Sequence, residues 1–173
     1  RSRGGRALGA GGVVPENYRG AEDDMSAPPG EAFKLAMKGV NGARVYVAAM
    51  CAGLLGNALE TALGYGAERH AFGKSLLDHQ GLNWSLGDVA NDLEALRGLV
   101  AHAGGLIDRE EDAVMAAAHA KKFAGRVTLP RIADCIQSMG AAGLREEYGL
   151  HPVSYSHLTL PPTGALERPT DAR

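Results

Sequence analysis

Leu82-Asn-Trp-Ser-Leu86-Gly-Asp-Val89-Ala-Asn-Asp-Leu93-Glu-Ala-Leu96-Arg-Gly-Leu-Val100 is the stretch whose spacing decides the fold. With Ala103 and Ile107 beyond it, its apolar residues follow one another at intervals of four and three without a miss. An α-helix turns once in about 3.6 residues, so the spacing sets them all on one stripe, the seam of antiparallel bundle packing. The sequence therefore predicts a helix over about 78–104, and a helix with one such stripe needs partners.

The partners lie on either side. Upstream, Phe33, Met37, Val40, Arg44, Val47, Cys51, Leu54, Ala58, Ala62 and Tyr65 recur at three and four and predict one face of a long helix over about 31–64. Gly39, Gly42, Gly53 and Gly56 weaken that helix by up to about 1 kcal/mol each relative to Ala, and would let a neighbouring helix come close. Gly66 to Ser75 breaks the pattern. Downstream, Gly104-Gly105 is expected to end the second helix, and Asp108 with Glu111 reads as an N-cap pair. A third helix over about 109–139 follows through Val114, Ala117, Ala118, Lys121, Ala124 and Val127 to Ile136. Pro130 lies inside it and is expected to kink or split it, because proline removes a backbone donor. Gly140 to Gly143 stops that helix, and Leu144 to Tyr148 could begin a short last one. The fold class expected is all-α: an antiparallel up-and-down bundle over 31–151, between irregular segments at 1–30 and 152–173.

Composition narrows the function. The net charge of −2 gives no bulk attraction to nucleic acid or anionic lipid, and 5% aromatic content suits close-packed helices better than a β-sandwich. Cys51 and Cys135 lie far apart in apolar stretches, as two reduced core thiols of a cytoplasmic protein would. No apolar run approaches the ~20 residues of a membrane span, and Arg1 to Arg6 is not followed by the apolar core of a signal peptide. No Glu has a His three residues later and no HExxH occurs, so no metal site is expected. Gly9-Ala-Gly-Gly12 is not a dinucleotide fingerprint. Arg69-His-Ala-Phe-Gly-Lys74 places two cations and a glycine between two helices, where an anion could meet Arg69 and the following helix N-terminus; from the residues alone a solvated surface loop is the better reading.

Several motifs agree in order and spacing. Val14-Pro-Glu-Asn17, Phe33-Lys-Leu-Ala-Met37, Arg44, Tyr65-Gly-Ala-Glu-Arg69, Phe72-Gly-Lys74, Gln80, Asp88-Val-Ala with Glu94-Ala-Leu-Arg97, Ala120-Lys121 with Phe123-Ala124, and Gln137-Ser-Met-Gly-Ala-Ala-Gly143 together resemble the C-terminal helical domain of acyl-CoA dehydrogenases. The resemblance runs from about Val13 to Leu150 and implies that residues 1–30 are loop left from a preceding β-domain. It implies an enzyme that oxidises an acyl-CoA thioester to the 2,3-enoyl-CoA with FAD, assembles as a homodimer or homotetramer, and passes electrons to an electron-transferring flavoprotein. Carried over by position, Arg69 would meet the FAD pyrophosphate of the neighbouring subunit, with His70 and Ala71 beside it. Gln80 would hydrogen-bond the adenosine side, with His79 next to it also at the cofactor, and Gln137, Gly140 and Ala141 would approach FAD from the partner. Asn41 and Arg44 would border the acyl-CoA. The departures are Asn41 where the family often has Asp, Ala141 where a second Gly is usual, and Pro130. The carboxylate base of the family usually lies after the bundle, and its alternative position is held here by Ala43, so no catalytic residue is named.

An acyl-CoA oxidase or a flavin monooxygenase on the same scaffold, or a cofactor-free helical interaction module, are the rival readings. Residues from Pro152 onward have no helical period. They resemble the conceptual translation of a transposase-type sequencing adapter, so 152–173 is expected to be a non-native or disordered tail.

Overall fold

The computed structural model describes Val14 and residues 16–150. The expectations for residues 1–13 and for the 152–173 tail lie outside the described residues. Three helices make up the bundle: α1 (Ala32–Glu68), α2 (Gln80–Asp108) and α3 (Val114–Ser138). Between α1 and α2 sits a two-stranded antiparallel hairpin, β1 (His70–Ala71) with β2 (Lys74–Ser75), followed by a 3-10 turn at Leu76–Asp78. Two more 3-10 turns, Gly140–Leu144 and Glu146–Tyr148, close the chain over the bundle. The short links reverse the direction at each step, so the end of α1, the start of α2 and the end of α3 share one end of the bundle.

The core forms where the α2 seam meets α1 and α3. Leu86, Val89, Leu93, Leu96 and Ala103 are buried, while Leu82 and Val100 pack partly buried against them and Ile107 reaches solvent. From α3 come Ala117, Ala120, Ala124, Ile132 and Cys135. Burial raises the Cys135 thiol to about 12, so it stays a neutral core group. Cys51, by contrast, is only half-buried. Arg131 clasps α3 to α2, its Nε donating to Asp92 Oδ2 at 2.6 Å and its Nη1 to Asp134 Oδ2 at 3.1 Å.

Several expectations need correction. The face of α1 that enters the core is Val45, Ala48, Ala52, Leu55, Ala58, Leu59 and Ala62; of the stripe read from the sequence, only Ala58 and Ala62 are buried. The cause is that α1 is apolar nearly all round, so spacing alone cannot choose a side. For the same reason α1 is long and apolar enough to cross a membrane by length and composition, contrary to the absence of any such run; here one side of it is committed to α2 and α3. Gly104-Gly105 does not end α2. The helix runs on to Asp108 and is closed by Glu110, whose φ of 58° supplies the left-handed residue that ends many helices. Asp108 is therefore no N-cap: Asp112 is the residue at the start of α3, its Oδ1 accepting from the Val114 N–H at 3.0 Å. Pro130 neither splits nor ends α3, because it lies exposed, and the Arg126 carbonyl deprived of its donor is on an exposed residue where water can serve. Of the glycines in α1, only Gly56 abuts another helix: a Cβ there would lie 3.5 Å from Arg97 and 3.8 Å from Leu93, while Gly39, Gly42 and Gly53 face open space.

Two substitutions check this packing by urea unfolding. Leu96→Ala, at a fully buried position, should lower stability by about 2–5 kcal/mol. Thr128→Val should raise it by roughly 1 kcal/mol, because the buried Thr128 hydroxyl has no hydrogen-bond partner among the described residues.

Candidate functional site

The segment between α1 and α2 is built as a rigid bracket. The Arg69 N–H donates to Tyr65 O at 2.9 Å to end α1, and the Arg69 carbonyl accepts from the Leu76 N–H at 2.9 Å. Ser75 fastens it twice, its Oγ donating to the Gly66 carbonyl at 2.9 Å and accepting from the Leu77 N–H at 3.2 Å. A Cβ at Gly66 would lie 2.7 Å from the end of the Leu77 side chain, so a larger residue there would make Leu77 shift. At the tip, Phe72 and Gly73 both have positive φ, 53° and 82°, as a two-residue hairpin of this twist requires. Glycine adopts that conformation freely; a phenylalanine does so at a strain of about 1–3 kcal/mol. Phe72 is nonetheless 97% exposed, with only the edge of the His79 ring near it, the centroids 6.2 Å apart.

These constraints sort the residues named from the sequence. Arg69 is exposed, and among the described residues its guanidinium has neither an ion pair nor a side-chain hydrogen bond. The fork of five donors is thus available to an external anion. Lys74 is less available, because its ammonium donates to the Asp78 carbonyl at 2.9 Å. His70 leans on the Glu68 carbonyl through Nδ1 at 3.1 Å. His79 Nε2 is 3.0 Å from the Ala71 carbonyl, so this ring braces the hairpin and leaves only its other nitrogen for a ligand. Gln80 is exposed at the first position of α2. Gln137 is exposed near the end of α3, with Gly140 (φ 60°) and Ala141 in the turn that follows. All eight cofactor candidates therefore sit at one end of the bundle. The turns there are held down by Leu150, fully buried, and by Tyr148 packed edge-on to Tyr65 with centroids 5.8 Å apart.

Asn41 and Arg44 are elsewhere. They lie near the start of α1, half-buried, with Arg44 Nη1 donating to Asn41 Oδ1 at 3.0 Å. Arg44 and Arg69 are twenty-five residue steps apart along α1, about 38 Å at 1.5 Å per residue. Asn41 also borders an open groove of about 1310 Å³, walled by Pro28, Phe33 and Met37 on one side and by Ile107 and Val114 on the other. Ala43 carries no proton-accepting group and faces away from the core. Among the described residues no cluster of His, Cys, Asp or Glu could hold a metal.

Two features escaped the sequence reading. Phe72 was seen only as part of a motif, although a bulky residue before glycine in a tight loop hints at a positive φ. Gly143 was read as a helix stop, but it is a packing residue: it is buried, and a Cβ would lie 2.5 Å from the Ile136 carbonyl oxygen.

A sequence profile of the acyl-CoA dehydrogenase C-terminal domain matches residues 30–158. Over 136 residues the chain is 32% identical to an acyl-CoA dehydrogenase of Bacillus subtilis, covering 79% of this chain and 36% of that protein. It is 30% identical over 136 residues to the caffeyl-CoA reductase–Etf complex subunit CarC of Acetobacterium woodii, again 79% of this chain and 36% of the relative. The solved butyryl-CoA dehydrogenase of Megasphaera elsdenii superposes with a TM-score of 0.72 at 32% identity, covering 75% of this chain and 34% of that one. A bundle with this hairpin and these motifs is the helical domain of a flavin-dependent oxidoreductase family. The chain belongs to the acyl-CoA dehydrogenase family, and it spans about a third of the length of the relatives it matches.

Gly143→Ala tests the turn at the end of α3. The clash is with backbone, which cannot swing aside, so stability should fall by about 1–3 kcal/mol in urea unfolding.

Proposed function

We propose that this chain is the helical C-terminal third of a cytoplasmic enzyme that oxidises an acyl-CoA thioester to the 2,3-enoyl-CoA, and that it contributes cofactor-binding and subunit-contact surface. The observation that carries this reading is Arg69, a guanidinium without a partner among the described residues, on a rigid bracket at the bundle end where the other cofactor candidates gather.

The residues present suit the pyrophosphate and adenosine of FAD. A guanidinium fork matches paired phosphate oxygens, and its charge is fixed at every physiological pH. The Gln80 amide can donate and accept toward adenosine, and the Gln137 amide with the Gly140-Ala141 turn can approach closely because no large side chain intervenes. FAD, when bound, supplies the acceptor for the hydride leaving the acyl chain. The distance of about 38 Å along α1 between Arg44 and Arg69 supports a division of labour, in which one bundle end serves the cofactor of one active site and the other end borders the acyl-CoA of another. That division requires a homodimer or homotetramer. The similarity to an Etf-complex subunit supports an electron-transferring flavoprotein as the acceptor. No residue of this chain is assigned to remove the α-proton, since Ala43 holds the one position in it where the family places a base.

In the complete enzyme, Arg69→Ala should weaken FAD retention roughly 10- to 150-fold, the equivalent of about 1.5–3 kcal/mol for a hydrogen bond to a charged group. The melting temperature of the flavin-free protein should change little, because the side chain is exposed. Flavin occupancy after gel filtration, read as the ratio of visible to ultraviolet absorbance, makes the comparison. Unchanged occupancy would remove Arg69 from the cofactor site.

A further inference from the structure

Residues Ala32 to Arg44 of α1 run ahead of the bundle, and Val45 is the first residue of the helix to be buried. Little else holds this stretch in place. Its N-cap residue, Glu31, makes no side-chain cap bond, and no acid stands in the first turn to offset the positive end of the helix dipole. Lys34 adds charge of the wrong sign there. Gly39 and Gly42 each make the helical state about fivefold less favoured than alanine would. A poorly capped helix end with few buried contacts opens far more often than the whole protein unfolds. Asn41-Gly42 lies in this stretch and is the one Asn-Gly pair of the chain; the other asparagines are followed by Tyr18, Ala58, Trp84 and Asp92.

We propose that Asn41 is a site of spontaneous deamidation, a covalent change timed by the opening of the α1 overhang. In the intact helix the reaction is blocked, because the ladder commits the Gly42 N–H to the Lys38 carbonyl and turns that nitrogen away from the Asn41 side chain. Once the turn opens, the Gly42 nitrogen loses its proton to solvent base and attacks Asn41 Cγ. The new C–N bond closes a cyclic imide, and the side-chain nitrogen leaves as ammonia. Water then opens the ring, at the side-chain carbonyl to leave aspartate or at the backbone carbonyl to leave isoaspartate. In sum, one amide and one water give one carboxylate and one ammonium, with no oxidant or cofactor. Glycine at 42 matters twice, since it has no Cβ to hinder ring closure and it reaches the conformations the ring needs. Lys38 and Arg44, three residues to either side, favour the anionic steps, and no acid lies between Ala32 and Leu59 to oppose them.

The change alters the surroundings of Arg44. Its Nη1 donates to the Asn41 amide oxygen at 3.0 Å, and in the aspartate form that neutral contact becomes an ion pair. A carboxylate there competes with any anionic ligand for the guanidinium. The isoaspartate form has an extra carbon in its backbone, cannot continue the helical ladder, and so moves the start of α1 toward Val45. The site depends neither on the flavin nor on the acyl-CoA reading.

Incubation of the 173-residue chain in mildly alkaline buffer tests this, with ammonia release and peptide mass as readouts. Fragmentation by electron transfer tells isoaspartate from aspartate, and the same chain in urea supplies the unblocked rate. Folded Asn41 should convert within about thirtyfold of that rate, while Asn57, in the same helix beside buried Ala58, stays intact. Gly42→Ala should slow the folded reaction about fivefold or more; a Cβ there meets nothing within 4 Å, so the variant keeps the fold. Glu31→Ser supplies the missing cap and touches neither reacting group. It should slow the folded reaction about fivefold and leave the rate in urea unchanged. An Asn41 that converts in urea but stays intact in the folded chain would overturn the proposal. Conversion of Asn57 as fast as Asn41 would replace local opening with global unfolding. Indifference to Glu31→Ser would overturn the timing by the helix end, and indifference to Gly42→Ala would overturn ring closure through residue 42.

Discussion

The contact on which the rest depends is the packing of α2's Leu86–Leu96 stripe into a trough lined by small residues of α1 and α3. Ala48, Ala52 and Ala58 on one side and Ala117, Ala120 and Ala124 on the other are all buried. Small walls let three helix axes come close enough for the leucines to fill the space between them, and that closeness aligns their ends. Because α1 and α2 are locked together, the chain linking them has no freedom to wander. It folds into the bracket that Ser75, Gly66 and Arg69 fasten, and Arg69 is left facing outward. The site is thus a consequence of the bundle, held at the point where two long helices must reverse.

How much of this was legible in the sequence depends on contrast. α2 was read correctly because its outer face carries Asp88, Glu94 and Arg97, so the apolar stripe stood out against charge. The middle of α1, from Val45 to Leu59, has no charge on any side, and the stripe that the spacing suggests there is the wrong one by about a third of a turn. The same lack of contrast hid its resemblance to a membrane-spanning segment. Helix ends were legible where glycine marks them, as at Gly140, and misread where another residue takes the left-handed conformation. Glu110 does so at the end of α2, against expectation, because the Arg109–Glu111 ion pair at 2.8 Å and the Leu106 carbonyl hold the link closed.

For the site, residue types travelled further than geometry. An arginine, a histidine and a glycine between two helices read by themselves as a solvated loop, and only the resemblance to the family's motifs proposes a cofactor role for them. What the sequence could not say is which donors are already engaged. Lys74 and His79 are spent on carbonyls of their own loop, while the Arg69 guanidinium has no partner among the described residues, and that difference arises only once the hairpin has closed with Phe72 at its strained tip. Asn41 and Arg44 were placed near the acyl-CoA by motif alone.

The most direct test of the cofactor role is a titration of the 173-residue chain with FAD, ADP and riboflavin, followed by isothermal calorimetry. In the proposed assignment Arg69 would address the pyrophosphate and Gln80 the adenosine, and nothing in the bundle is assigned to the ring system. FAD and ADP should therefore bind weakly and alike, and riboflavin should not bind. Riboflavin binding as well as FAD, or no heat from FAD or ADP at millimolar concentration, would contradict the assignment of this bundle end to the cofactor.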